Sequence, residues 1–293
     1  MAKIEGRATI QQKTALGGVG EAPVVDRLGS MEVVVSADPS DGADLVAKEI
    51  VRALEAKPDL VLGLATGSTP VPVYRRLVEA HQRDGLDFSR VRTFNLDEYL
   101  GVPADHPRSY RAFMREHLFD GIELPHENSR FPPTEGPRLT DQCQEFEDEI
   151  RAVGGIDLQL LGIGRNGHIG FNEPTSSLAS RTRIKTLTSK TLDDNARFYG
   201  PGEEQPRLAC TMGIGTILGA RRILLQSFGE AKAAAIKACV EGPISSFWPG
   251  SALQMHPDVS FFLDEDAASE LTMLDYYAAV RVARSELDRQ DRL

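Results

Sequence analysis

Two hydrophobic rhythms alternate along the chain from Met31 onward. Short apolar runs, MEVVVSA, DLVLGLA, VRTFNL, IDLQLLG, RRILLQS and DVSFFLD, have the length and side-chain shape of buried strands. Between them lie stretches with apolar residues three and four apart. Residues 43–54 carry Leu45, Val46, Ile50, Val51 and Leu54 at that spacing, and Pro70 and Pro72 open a second helix through Val73, Leu77 and Val78. Residues 230–240 repeat the helical pattern after RRILLQS. Strands alternating with helices predict an α/β fold, a mostly parallel sheet covered by helices on both faces. Ligands of such sheets collect outside the carboxyl ends of the strands, so chemistry is expected just after each strand.

Residues 1–30 keep neither rhythm, with Gly17, Gly18 and Gly20 among small and polar residues. They read as a flexible leader ahead of a single α/β catalytic domain at 31–293. Ile4-Glu5-Gly6-Arg7 matches a protease recognition sequence used to remove tags, and Met31 can serve as a native start. The leader is therefore either an expression remnant or a natural extension.

Composition narrows the function classes. Values of 41% hydrophobic and 26% charged residues fit a folded globular protein and exclude disordered and fibrous ones. The 33 basic against 43 acidic residues give a net charge of -10 with no basic block. That argues against nucleic-acid and anionic-membrane partners, so an anionic ligand must be held locally. The 3 cysteines, Cys143, Cys210 and Cys239, are far apart and form no C-x-x-C pair, which suggests neither a disulfide framework nor a zinc site. The absence of a long apolar stretch or a signal-peptide core completes the expectation of a cytoplasmic protein.

The strand ends carry the candidate chemistry. In LATGSTP a strand runs into Thr66, Gly67, Ser68 and Thr69 and then a helix. This is either a phosphate cradle, built from orphan N–H groups and hydroxyls, or an ordinary capped turn. It has no G-K-[ST], so a nucleotide P-loop is not indicated. In TFNLDEYLG the adjacent Asp97 and Glu98 point to opposite faces of an extended segment and so have different jobs. One of them facing a pocket would be a general base, while a cap or a solvated turn is the plainer alternative. LLGIGRNGHIGFNEP contains a literal G-x-G-x-x-G, but no helix pattern follows Gly167 and no acid lies ~20 residues on, so a dinucleotide is not expected. What the loop offers is His168 with Asn166 and Glu173 nearby, groups able to orient and polarise an imidazole. Downstream, Arg181, Arg183, Lys185, Lys190 and Arg197 make a basic segment in an acidic protein, and Lys232 adds a cation near a helix start.

Taken in order, these motifs resemble the glucosamine-6-phosphate deaminase family, whose members convert glucosamine 6-phosphate to fructose 6-phosphate and ammonia in amino-sugar catabolism. The resemblance runs over residues 31–265, through LGLATGSTPVPVY, FNLDEYLG, SYRAFM, LLGIGRNGHIGFNEP, SSLASRTRIKTLT, DDNARF, FGEAKAAAIKACVEG and LQMHPDVSFFLDE. It implies a doubly wound sheet of modified Rossmann type, with neither a metal nor an organic cofactor. Carried onto matching positions, it implies Asp97 as proton acceptor at the sugar C2, His168 as the ring-opening residue and Glu173 as its support. Asn166 stands where members carry aspartate or asparagine, which makes the ring-opening group an amide, an imidazole and a carboxylate. The implied phosphate ligands are Thr66, Gly67, Ser68, Thr69, Arg197 and Lys232.

In hexameric, allosteric members N-acetylglucosamine 6-phosphate occupies a second phosphate site at the subunit interface, through residues matching Ser176, Arg183 and Lys185. The resemblance thus extends to an activator and a homo-oligomer, although monomeric, unregulated members also exist. Two related activities share the fold, galactosamine-6-phosphate deamination or isomerisation and 6-phosphogluconolactone hydrolysis, the latter needing no base at C2. A non-catalytic sugar-phosphate sensor would need a DNA-binding module, for which residues 1–30 are too short.

Overall fold

A computed structural model describes residues 31–196 and 205–290; Arg197 and the leader 1–30 lie outside the described residues. The strands are β1 (Glu32–Ser36), β2 (Val61–Leu64), β3 (Arg92–Asn95), β4 (Asp97–Tyr99), β5 (Ser129–Arg130), β6 (Leu158–Leu161), β7 (Arg183–Thr186), β8 (Leu208–Thr211), β9 (Arg222–Ser227) and β10 (Val259–Asp264). The helices are α1 (Pro39–Ala56), α2 (Val71–Asp84), α3 (Tyr110–Met114), α4 (Leu139–Ala152), α5 (Ser189–Asn195), α6 (Ile214–Ile217), α7 (Ala233–Val240) and α8 (Leu274–Gln290). All six apolar runs named above are strands of one sheet. Among the described residues no helix is long and apolar enough to cross a membrane.

That sheet is parallel throughout, in the order β1-β10-β9-β6-β2-β3-β5. Alternate residues of each strand feed opposite cores. On one face Leu62, Leu64, Leu160 and Leu224 meet Val46, Ile50 and Leu54 of α1 and Tyr74 and Leu77 of α2. On the other, Val61, Leu161 and Leu225 meet Phe146 and Ile150 of α4 and Ala235 and Ile236 of α7. Burial on both faces is why these strands read as continuous apolar runs rather than as alternating ones. Helix α1 begins ahead of the periodic stretch because Asp38 caps it, its Oδ1 accepting from the N–H of Ser40 (2.8 Å) and of Asp41 (2.9 Å), with Pro39 at the first position.

The strand order reverses between β2 and β6. From β2 the chain winds outward to β3 and β5, and from β6 it winds the other way to β9 and β10. The two connections leave in opposite directions and open a crevice at the carboxyl ends of β2 and β6.

A second, antiparallel sheet, in the order β4-β8-β7, hangs from this edge. Leu96 is the joint: its N–H donates to Leu64 O (3.0 Å) in the main sheet, and its carbonyl accepts from Met212 N (2.7 Å) beside β8. The sequence does not announce this sheet. Strand β4 has 3 residues and follows β3 after a single position, and β7 is the polar segment RIKT, whose alternation is of cations with an apolar residue.

Candidate active site

A cavity of about 690 Å³ opens at the crevice. Its walls include Thr66, Gly67, Ser68 and Thr69 after β2, Asp97 and Tyr99 of β4, Gly164, Arg165 and His168 after β6, and Lys232 ahead of α7. Loops far apart in sequence thus meet at one pocket. The glycine-rich stretch after β6 is a loop closed by a bridge between Ile169 and Asn172, with no helix behind it, so its turn presents a histidine rather than a pyrophosphate.

Asp97 and Glu98 divide the two roles open to the pair. Glu98 is the cap: its carboxylate accepts from the N–H groups of Tyr99 (2.9 Å), Tyr110 (3.0 Å) and Arg111 (3.0 Å), and so holds the start of α3. Asp97 points the other way, into the cavity, and is only 6% exposed. Among the described residues no cation pairs with it. Burial, followed by the charge of Glu98, raises its pKa to about 8 against the partial relief of a hydrogen bond from Phe171 N–H.

His168 sits at the end of a polar chain. Its Nδ1 lies 2.6 Å from Asn166 Oδ1, and Asn166 Nδ2 donates to Glu173 Oε2 at 2.8 Å. A carboxylate can only accept, so the amide nitrogen faces Glu173 and the amide oxygen faces the ring. Nδ1 must then carry the proton, which leaves Nε2 as the basic nitrogen. Glu173 Oε2 is itself 3.6 Å from Nδ1. Burial pushes the Glu173 carboxyl up, but His168, then the donors Thr191 and Asn166, outweigh it and bring its pKa down to about 2. The carboxylate therefore stays charged at the end of this chain. Gly164 is required here by close approach, since a Cβ would lie 2.2 Å from the His168 ring.

The turn 66–69 forms the opposite wall, leading into α2. Gly67 has φ +106°, an angle open to glycine, and a Cβ there would meet nothing within 4 Å. Lys232 reaches the cavity while its Nζ donates to Ile163 O (2.7 Å), which ties the cation to the loop bearing His168. Sequence reasoning missed Arg108, Arg165, Tyr99, Tyr110 and Thr191, all of which line the cavity. Arg165 lies in the glycine-rich loop, Tyr99 in TFNLDEYLG and Tyr110 in SYRAFM, stretches the sequence marks; Arg108 and Thr191 arrive through tertiary packing.

Ser176, Arg183 and Lys185 lie apart from the cavity walls. Arg183 and Lys185 are half-buried on β7, and Arg183 Nη1 donates to Asn172 Oδ1 (2.9 Å). Arg183 Nη2 and Ser176 Oγ are buried with no partner. Burial lowers the pKa of both cations; at Lys185 the charge of Arg183 adds to the effect and that of Glu173 partly opposes it.

Comparison with known proteins adds an independent line. Residues 39–261 match the family model described as glucosamine-6-phosphate isomerases/6-phosphogluconolactonase. A glucosamine-6-phosphate deaminase of Hahella chejuensis is 54% identical over 251 residues, covering 86% of this chain and 96% of the relative. One of Arthrobacter sp. is 49% identical, covering 84% and 95%. Among solved structures, a monomeric glucosamine-6-phosphate deaminase superposes with TM-score 0.80 at 42% identity, covering 82% of this chain and 100% of that one. A 6-phosphogluconolactonase from Trypanosoma cruzi gives TM-score 0.64 at 20% identity over 83% and 98%, a likeness of fold alone.

Proposed function

Because the chain belongs to the family of glucosamine-6-phosphate isomerases and 6-phosphogluconolactonases, we propose that it converts glucosamine 6-phosphate and water to fructose 6-phosphate and ammonia, in the cytoplasm. The observation that carries this reading is the convergence of the buried Asp97, the oriented His168 and the turn 66–69 on one cavity.

The turn, with Lys232 and Arg197, holds the C6 phosphate through backbone N–H groups, hydroxyls and cations. His168 Nε2 then takes the proton of the C1 hydroxyl and returns it to the ring oxygen, opening the pyranose. Glu173, acting through Asn166, stabilises the imidazolium formed between the two transfers. Asp97 removes the C2 proton to give an enolamine and delivers a proton to C1, leaving an imine at C2. Water adds to the imine, and ammonia departs to leave the ketone. Anchoring the phosphate fixes C2 beneath Asp97, and such positioning is worth several orders of magnitude in rate.

Incubation of the purified protein with glucosamine 6-phosphate is expected to release ammonia and fructose 6-phosphate in equal amounts. Release of neither, with hydrolysis of 6-phosphogluconolactone instead, would replace this reading by the lactonase one; faster turnover of galactosamine 6-phosphate would change the epimer.

The anion site on β7 supports a second part of the reading, activation by N-acetylglucosamine 6-phosphate in a homo-oligomer. Two half-buried cations that form no ion pair among the described residues, and the buried, unpartnered atoms Arg183 Nη2 and Ser176 Oγ, are chemistry a phosphate monoester satisfies. The activator is expected to lower the half-saturating substrate concentration, and Arg183→Gln to abolish that shift. Identical saturation curves with and without activator in the parent protein would remove regulation from the reading.

A further inference from the structure

Tyr74 lies in the first turn of α2, fully buried in the core that α1 and α2 form with the main sheet. Its hydroxyl donates to the carbonyl of Ala65, the residue between β2 and the turn 66–69. Its backbone N–H donates to Pro70 O (3.0 Å), just past the other end of that turn. Residues 65–70 all line the cavity and Tyr74 does not, so one residue holds both ends of the turn from behind. Packing alone would be served by phenylalanine. A phenol taken out of water needs a partner for its hydroxyl, and here the partner is the carbonyl that leads into the anion turn.

That bond fixes a direction. The Ala65–Thr66 peptide is trans, so its C=O and N–H point opposite ways, and a carbonyl turned onto the Tyr74 hydroxyl turns the Thr66 N–H away from it. We propose that Tyr74 is a positioning residue of this site, holding the Ala65 carbonyl in the core so that the Thr66 N–H is presented to the phosphate. The preceding carbonyl, Leu64 O, accepts from the N–H of Leu96 (3.0 Å), the residue before Asp97. Two successive carbonyls at the end of β2 are thus tied, one beside the base and one to α2, and the span between base and anion turn is set before the substrate arrives. Without the hydroxyl the Ala65–Thr66 peptide is free to rotate, which brings a carbonyl oxygen toward the anion in place of an N–H.

The inference rests on the phosphate-binding part of the proposed function, and its test does not depend on turnover. Tyr74→Phe removes one oxygen and preserves the ring. Titration with inorganic phosphate, followed by NMR at the Thr66 amide, is expected to give a dissociation constant about three- to ten-fold above the parental one, the loss typical of one hydrogen bond. KM for glucosamine 6-phosphate should rise by a similar factor, with kcat changed much less. Ile50→Val, in the same core but outside the cavity wall, is the control for stability: it should lower the melting temperature and leave phosphate affinity at the parental value.

Parental phosphate affinity in Tyr74→Phe would overturn the proposal. So would an equal loss of affinity in Ile50→Val, which would trace the effect to core stability rather than to the Ala65 carbonyl. A parent protein whose Thr66 amide does not respond to phosphate would remove the phosphate-binding part of the proposed function and this inference with it. One that binds phosphate with this dependence on Tyr74 but does not deaminate glucosamine 6-phosphate would sink the reaction and leave Tyr74 in its role.

Discussion

Replacing Asp97 by asparagine is expected to lower turnover of glucosamine 6-phosphate by about 10⁴-fold, the upper end of what a positioned base contributes, while sugar-phosphate binding stays measurable. The loss should be this large because the C2–H bond does not ionise at neutral pH without a base, and Asp97 is the cavity-facing carboxylate in position to serve. Solvent exchange of the C2 proton, followed by NMR in heavy water, should vanish with it. Near-parental exchange in the variant would remove Asp97 from the role.

The same substitution should raise stability, and only at higher pH. In the folded protein Asp97 holds its proton up to about pH 8, whereas the unfolded chain releases it near the ordinary value of 3.8. The folded state therefore binds more protons between these values, and burial of the carboxylate costs progressively more stability as pH rises through that window. Asparagine carries no such cost. The expected gain at pH 8 is on the order of a few kcal/mol, vanishing near pH 4. A melting-temperature difference that is the same at pH 4 and pH 8 would contradict the assignment of the burial.

The raised pKa also shapes the rate. A base protonated below about pH 8 makes kcat/KM climb with pH up to that value. A protonated amine on the bound substrate is the missing opposite charge beside Asp97, so the corresponding limb of kcat should lie at lower pH.

The second large effect is expected at His168. His168→Gln keeps a polar group of similar reach but cannot shuttle a proton, and turnover of the cyclic substrate should fall by about 10²- to 10³-fold. The loss should be smaller than at Asp97 because hexose rings also open slowly in water without help. Binding of 2-amino-2-deoxyglucitol 6-phosphate, which has no ring to open, should be nearly unchanged. Glu173→Gln is expected to cost less again, since the backbone N–H of His168 still donates to Asn166 Oδ1 (3.3 Å) and keeps that oxygen facing the ring. Equal losses in both variants would mean that Glu173 does more than stabilise the imidazolium. A large loss of glucitol-phosphate affinity in His168→Gln would mean that the imidazole binds the sugar rather than opens it.

The strands of the main sheet were legible because each is buried on both faces, and such burial leaves a run of apolar residues that no surface segment needs. The position of the site followed from the same fact, since the carboxyl ends of parallel strands are where chains of this class expose N–H groups and side chains together. The pair Asp97 and Glu98, His168 with Glu173, and the turn 66–69 could therefore be marked as candidates from local sequence. The antiparallel sheet could not: β4, β7 and β8 hold 3 to 4 residues each, too few to show a period, and their register exists only once Leu96 joins the two sheets. The tertiary structure also decided which of Asp97 and Glu98 faces the pocket, because that choice depends on where α3 places its N–H groups. It decided as well that Asn166 lies nearer His168 Nδ1 than Glu173 does, at 2.6 against 3.6 Å. Sequence records the residue types that a strand end must offer; the distances and the dielectric that turn a carboxyl into a base arise when elements distant in the chain close around it.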